Sequence, residues 1–110
     1  MDGSGLDQVF HALADPTRRA VVRRLAARPA TVSELHHPFD MKLPSFLQHL
    51  RVLEASGLVR SSKVGRVRTV ELRREALDHA GRWLDEQRDL WERRLDQLDA
   101  YLDTLKEGET

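Results

Sequence analysis

The stretch TVSELHHPFDMKLPSFLQHLRVLEASG, residues 31–57, decides the fold. Thr31 stands at a helix cap with Glu34 three positions on, the spacing at which each side chain satisfies the other's free backbone N–H. Pro38, about one turn in, lacks the N–H that a helix interior needs and ends this helix early. Leu43-Pro44 opens a second helix, with proline where its missing N–H would have been unpaired anyway. Ser56-Gly57 closes it, because glycine takes the left-handed C′ conformation cheaply. A helix pair with a tight connection is therefore expected over residues 31–56.

The second helix sorts its side chains by period. Phe46, Leu47, Leu50 and Leu53 fall three and four apart and define an inner face. Ser45, Gln48 and His49 then share the outer one, with Lys42 at the helix start and Arg51 a turn further on. Gln pairs bidentately with adenine, Ser and His reach base edges or phosphates, and Lys and Arg contact phosphate or guanine. His49 has a second reading, packed partly under the following hairpin and bonded to backbone.

Downstream, Leu58–Lys63 and Val67–Leu72 are β-prone runs around Val64-Gly65-Arg66, a hairpin with glycine in its turn. A helix pair followed by a basic hairpin is a winged helix-turn-helix order, whose second helix enters the major groove. Lys63, Arg66 and Arg68 on the wing are placed to grip backbone or an adjacent minor groove. Upstream, Leu6, Val9, Phe10 and Leu13 mark a short amphipathic helix. Asp15-Pro16 caps and starts the next, which runs to about Ala27 with Val21, Val22 and Leu25 inward and its arginines outward.

From about Glu75 to Leu105 there is no proline, and Leu77, Leu84, Trp91, Leu98 and Leu105 fall seven apart, with Leu95 and Leu102 near a second seam. Such a helix would be about 45 Å long, more than a chain of this size needs for itself. The sevenfold spacing favours a partner helix. The expected dimer interface is Leu6, Val9 and Phe10 from the start of the chain with Leu84, Trp91, Leu95, Leu98 and Leu102 from its end.

The 18 basic and 18 acidic residues cancel, but not locally. Residues 42–74 hold Lys42, Arg51, Arg60, Lys63, Arg66, Arg68, Arg73 and Arg74 against Glu54 and Glu71, a net of +6. Residues 75–110 hold five basic and eleven acidic side chains, a net of −6. A polyanion responds to the potential within a Debye length, roughly 8–10 Å, so the middle third is the candidate phosphate-facing surface.

With 110 residues, 40% of them hydrophobic, and no cysteine, the chain has room for one small domain and none for a disulfide scaffold, a thiolate metal site or a cysteine nucleophile. Its apolar runs fall far short of the roughly 18 residues that span a bilayer, and residues 1–5 carry no signal-peptide pattern, so a cytoplasmic protein with no membrane partner is expected. No phosphate loop, nucleophile elbow or acid–base pair is present, so no enzyme and no cofactor are expected. The whole reads as a mainly α, single winged helix-turn-helix domain. Its expected parts are a disordered 1–5, two helices over 6–27, the helix-turn-helix at 31–56, the wing at 58–72, the long helix at 75–105 and a disordered tail at 106–110.

The runs Ala12-Leu13-Ala14-Asp15-Pro16-Thr17-Arg18-Arg19, Val32-Ser33-Glu34-Leu35, Gln48-His49-Leu50-Arg51-Val52-Leu53-Glu54, Ser56-Gly57-Leu58-Val59 and Gly65-Arg66-Val67-Arg68 resemble ArsR/SmtB-type transcriptional regulators in content and order. The resemblance covers roughly residues 6–102. It implies a homodimer joined through its first and last helices, which represses a promoter by binding an inverted repeat in double-stranded DNA. The closing Trp83-Leu84 and Trp91-Glu92 resemble a subgroup without the family's metal ligands. One departure is Lys42, where the family's recognition helix usually has a Ser or Thr cap.

Two other readings stand beside this one. Many relatives sense metal through cysteines after the Glu-Leu pair, where this chain has His36 and His37. Neighbouring helical residues point about 100° apart, so the two imidazoles rarely meet one ion, and ordinary surface histidines explain them better. No metal site is assigned, and the effector, if one exists, stays open. The second reading is a winged helix used only for protein docking. A pure docking module has no need for both its recognition helix and its wing to be basic.

Overall fold

The computed structural model describes residues 3–108. In chain order the elements are α1 (Gly3–Leu13), α2 (Pro16–Leu25), β1 (Ala30–Thr31), α3 (Val32–His36), α4 (Leu43–Ala55), β2 (Val59–Val64), β3 (Val67–Leu72) and α5 (Arg74–Gly108). The winged helix-turn-helix order is the one the sequence predicts. Helix spans reach past the expected limits at both ends, with α1 starting at Gly3 and α5 ending at Gly108. The rest of both expected disordered segments lies outside the described residues.

Local chemistry accounts for the boundaries. Asp15 caps α2 by accepting the Arg18 N–H at 3.0 Å. Thr31 and Glu34 form the reciprocal capping box of α3, at 2.9 and 3.1 Å. The Thr31 N–H first and the Thr31 hydroxyl second hold the Glu34 carboxyl below its ordinary pKa. Helix α4 ends in a Schellman arrangement: the Gly57 N–H bonds Glu54 O at 3.0 Å and the Leu58 N–H bonds Leu53 O at 3.1 Å. That closure needs the left-handed backbone which Gly57 supplies at φ +82°.

The three strands form one antiparallel sheet in the order β1-β3-β2. The hairpin pairs Val59 with Leu72 through Val64 with Val67, turning on Gly65 at φ +62°. β1, which the sequence reading lacks, adds Ala30 opposite Val70 and Thr31 opposite Thr69. A two-residue strand shows no alternation, and its partner lies some forty residues away.

The chain divides into two units, one up to Ala80 and one from Gly81, with the boundary inside α5. The first has a core of Val9, Ala12, Val21, Leu25, Leu35, Phe46, Leu50, Leu53, Leu58, Val59 and Val70 with Ala30 and Ala80. Phe46 and Leu53 of α4 have no exposed surface, so this helix is seated by its inner face as its period predicts. Val9 is 2% exposed in this core. It therefore leaves the expected dimer interface, because a residue already buried has no surface to offer a partner. Leu6 and Phe10 are only partly buried against the core.

The second unit is the continuation of α5 alone. Leu84, Trp91, Leu95, Leu98, Tyr101, Leu102 and Leu105 are all exposed on it, Trp91 at 60%. The Arg94 guanidinium lies 5.8 Å from the Trp91 ring centroid. No helix among the described residues is long and apolar enough to cross a membrane.

Candidate nucleic-acid interface

Because α4 buries Phe46, Leu50 and Leu53, helical geometry turns Ser45, Gln48 and Arg51 to the opposite side, and all three are exposed. Gln48 lies at the middle of this outer face. Lys42 occupies the N-cap position without a side-chain hydrogen bond, so no side chain of its own caps the first turn of α4. Backbone N–H groups at such an end suit an external anionic oxygen.

The wing supplies the other wall. Lys63, Arg66 and Arg68 are exposed on the hairpin, together with Val64 at 81% and Val67 at 52%. A groove of about 620 Å³ runs between the start of α3 (Thr31, Val32, Ser33), α4 (Leu43, Leu47) and the wing (Lys63, Arg66, Val67, Arg68). Leu43, 45% exposed, forms part of its apolar floor. The sequence reading missed this residue as a surface group, because its position at i−3 from Phe46 reads as an inner one.

The wing is tied to α4. The Ser61 hydroxyl donates to Glu54 Oε1 at 2.5 Å, and Arg68 Nη1 donates to Ser61 Oγ at 3.0 Å. Lower on the hairpin, Arg60 pairs with the cross-strand Glu71 at 2.5 Å, which neutralises one cation of the basic segment. No ion pair among the described residues engages Lys42, Arg51, Lys63, Arg66 or Arg68. Five cations, from the recognition helix and the wing, are thus left for an external anion, and an external polyanion is the partner they fit.

His49 lies apart from this set. It is half-buried on the flank of α4 that faces α2, not under the hairpin, with Arg18 Nη1 3.1 Å and Asp15 Oδ2 3.6 Å from its Nδ1. Arg18 is not the solvated arginine its sequence position suggests, since its side chain also donates to the carbonyls of Ala12 and His11. Burial works to raise the Asp15 pKa, but the Arg18 backbone N–H and nearby positive charge outweigh it, leaving the carboxyl below its ordinary value.

The histidines considered for metal separate in the same way. His36 Nε2 lies 2.7 Å from Met41 O and its ring packs 5.2 Å from Phe46, so it is a structural group holding the α3–α4 connection. His37 is exposed beside it. Among the described residues no group of three or more His, Asp or Glu side chains converges on a metal-sized site.

Comparison with known proteins agrees with this geometry. A family model described as a helix-turn-helix domain matches residues 13–62. A crystallised ArsR family transcriptional regulator is 53% identical, with a TM-score of 0.80 over 84% of this chain and 95% of that one. The HTH-type transcriptional regulator Rv2034 of Mycobacterium tuberculosis is 42% identical over 66 residues, 60% of this chain; the match spans 62% of that regulator's length. A homodimeric winged helix-turn-helix DNA-binding domain from Mycobacterium bovis, solved in solution, shares the fold at 20% identity, with a TM-score of 0.59 over 84% of this chain and 83% of that one.

Proposed function

As the chain belongs to the ArsR family of winged helix-turn-helix transcriptional regulators, a non-enzymatic class, we propose that it acts as a homodimeric repressor on an inverted repeat. Two copies join along the exposed Leu and Trp stripe of α5, and Leu6 and Phe10 of α1 make a separate contribution to the dimer. Each copy sets α4 into a major groove, about 12 Å wide, where Gln48 and Ser45 read base edges. Lys42 and Arg51 hold phosphates beside them, and Lys63, Arg66 and Arg68 hold the flank through the wing. His49 is not assigned a base.

The carrying observation is the set of five exposed cations on α4 and the wing that form no ion pair among the described residues. A docking surface for protein does not call for it. The dimer draws support from the α5 stripe, since contiguous apolar side chains left in water mark an interaction surface, and from the homodimeric state of the M. bovis domain.

Repression follows from occupancy of a promoter, including the one upstream of its own coding region. Such a protein works where the DNA is, in the cytoplasm. An effector that favours a differently spaced dimer lowers DNA affinity by its differential binding energy. The test is selection of duplexes from a random-sequence pool by the purified protein. An enriched inverted repeat with half-sites about one turn, 34–36 Å, apart is expected. No enrichment, or a single asymmetric site, would overturn the proposal.

A further inference from the structure

Arg18 joins three helices with one side chain. Its Nε donates to Ala12 O at 2.7 Å and its Nη2 to His11 O at 3.2 Å, both carbonyls in the last turn of α1. Its backbone N–H bonds the Asp15 cap of α2. Its Nη1 reaches across 31 positions of sequence to His49 Nδ1 on α4, at 3.1 Å.

A guanidinium carries only donors, so a hydrogen bond from Arg18 requires Nδ1 to present its lone pair and the ring to carry its proton on Nε2. The carboxylate of Asp15 is 3.6 Å from the same nitrogen, beyond hydrogen-bond length. On α4 itself, His49 is followed by the buried Leu50 and preceded by the exposed Gln48. The Arg18 bond therefore acts on the flank of the helix, one residue from the middle of its outer face.

We propose that His49 is a positioning residue of the recognition helix rather than a DNA ligand. Through Nδ1 it lets Arg18 fix the rotation of α4 against α1 and α2, so that Ser45, Gln48 and Arg51 face outward in one setting. This rests on the DNA-binding reading above. The magnitude is sufficient: with side-chain tips about 5–6 Å from the helix axis, a rotation of about 10° moves them by about 1 Å. Base-edge hydrogen bonds span only about half an ångström of useful length.

The test compares His49→Asn, His49→Gln, His49→Ala and Arg18→Met with the wild-type protein. The probes are the duplex selected by wild-type protein and a shuffled duplex, and the readout is the ratio of their dissociation constants. An asparagine oxygen takes the place of Nδ1, so His49→Asn keeps the wild-type ratio. His49→Ala and Arg18→Met lower it by about 3- to 30-fold, the range for residues that act without touching the ligand.

A two-bond proton–nitrogen spectrum of the free wild-type protein shows His49 as the Nε2–H tautomer, and Arg18→Met mixes the tautomers. If His49→Gln, whose amide sits at the place of Nε2, keeps the ratio while His49→Asn loses it, His49 touches DNA and the proposal fails. It fails equally if all four variants keep the ratio or if the ring carries its proton on Nδ1. A wild-type protein that selects no duplex would sink the DNA-binding reading instead, while the spectrum, taken without DNA, still judges the Arg18 bond.

Discussion

Ser61 of the wing donates its hydroxyl to Glu54 of the recognition helix at 2.5 Å, and Arg68 leans on the same hydroxyl at 3.0 Å. The wing's cation is thus ordered by the helix it flanks. On the other flank Arg18 holds His49. Between these two polar braces lies the face that carries Gln48.

Ser61→Ala removes the bridge between Arg68 and Glu54. A hydrogen bond of this kind contributes about 0.5–1.5 kcal/mol net. Duplex affinity should fall by about 2- to 10-fold in fluorescence-anisotropy titrations, alongside a thermal midpoint lowered by several degrees at most. A fall in stability without a fall in affinity would detach the wing from the reading surface.

Arg66→Ala with Arg68→Ala removes two cations that no acid pairs with among the described residues. Binding should weaken on every sequence, and the slope of log affinity against log salt should flatten by about one to two units. The slope is read by repeating the titration at several salt concentrations. An unchanged slope would remove the wing from the phosphate contacts.

Gln48→Ala acts differently, because it takes away a base-edge partner and no charge. Discrimination at one base pair of each half-site should drop by about 1–3 kcal/mol, measured by competition between single-substituted duplexes. Equal losses on the selected and shuffled duplexes would reassign Gln48 to packing or phosphate.

Asp15 sets a pH dependence. Its carboxyl titrates below the ordinary value in the folded chain, despite a burial effect in the other direction, because the Arg18 N–H holds the charged form. The unfolded chain then binds the proton first, so the cap's stabilisation is present above about pH 4 and is lost as pH falls through the folded pKa. Urea midpoints taken from pH 5 downward should fall less steeply for Asp15→Asn than for wild type. Parallel curves would show that the cap carries no charge-dependent stability.

The fold was legible where chemistry is local. Thr31 with Glu34 announces α3, Pro44 and Gly57 bracket α4, and the Gly65 turn announces the wing. What escaped was long-range or two-sided. β1 is recognisable only by its partner Val70, forty residues on. The apolar stripe of α1 says which side is inside but not whether the cover is its own core, as for Val9, or something else. Of the site, Lys42, Ser45, Gln48, Arg51 and the wing cations lie on exposed surface as their spacing implies, whereas the Arg18–His49 contact has no signal in either segment alone.

The central claim is that two copies, joined through α5, present two recognition helices to one duplex. Sedimentation velocity at micromolar protein, alone and with the selected duplex, measures it directly. The account predicts a dimer without DNA and two protomers per duplex, both lost in Trp91→Glu, which places a charge on the exposed stripe. A monomer at every concentration, one protomer per duplex, or a dimer that survives Trp91→Glu would contradict it.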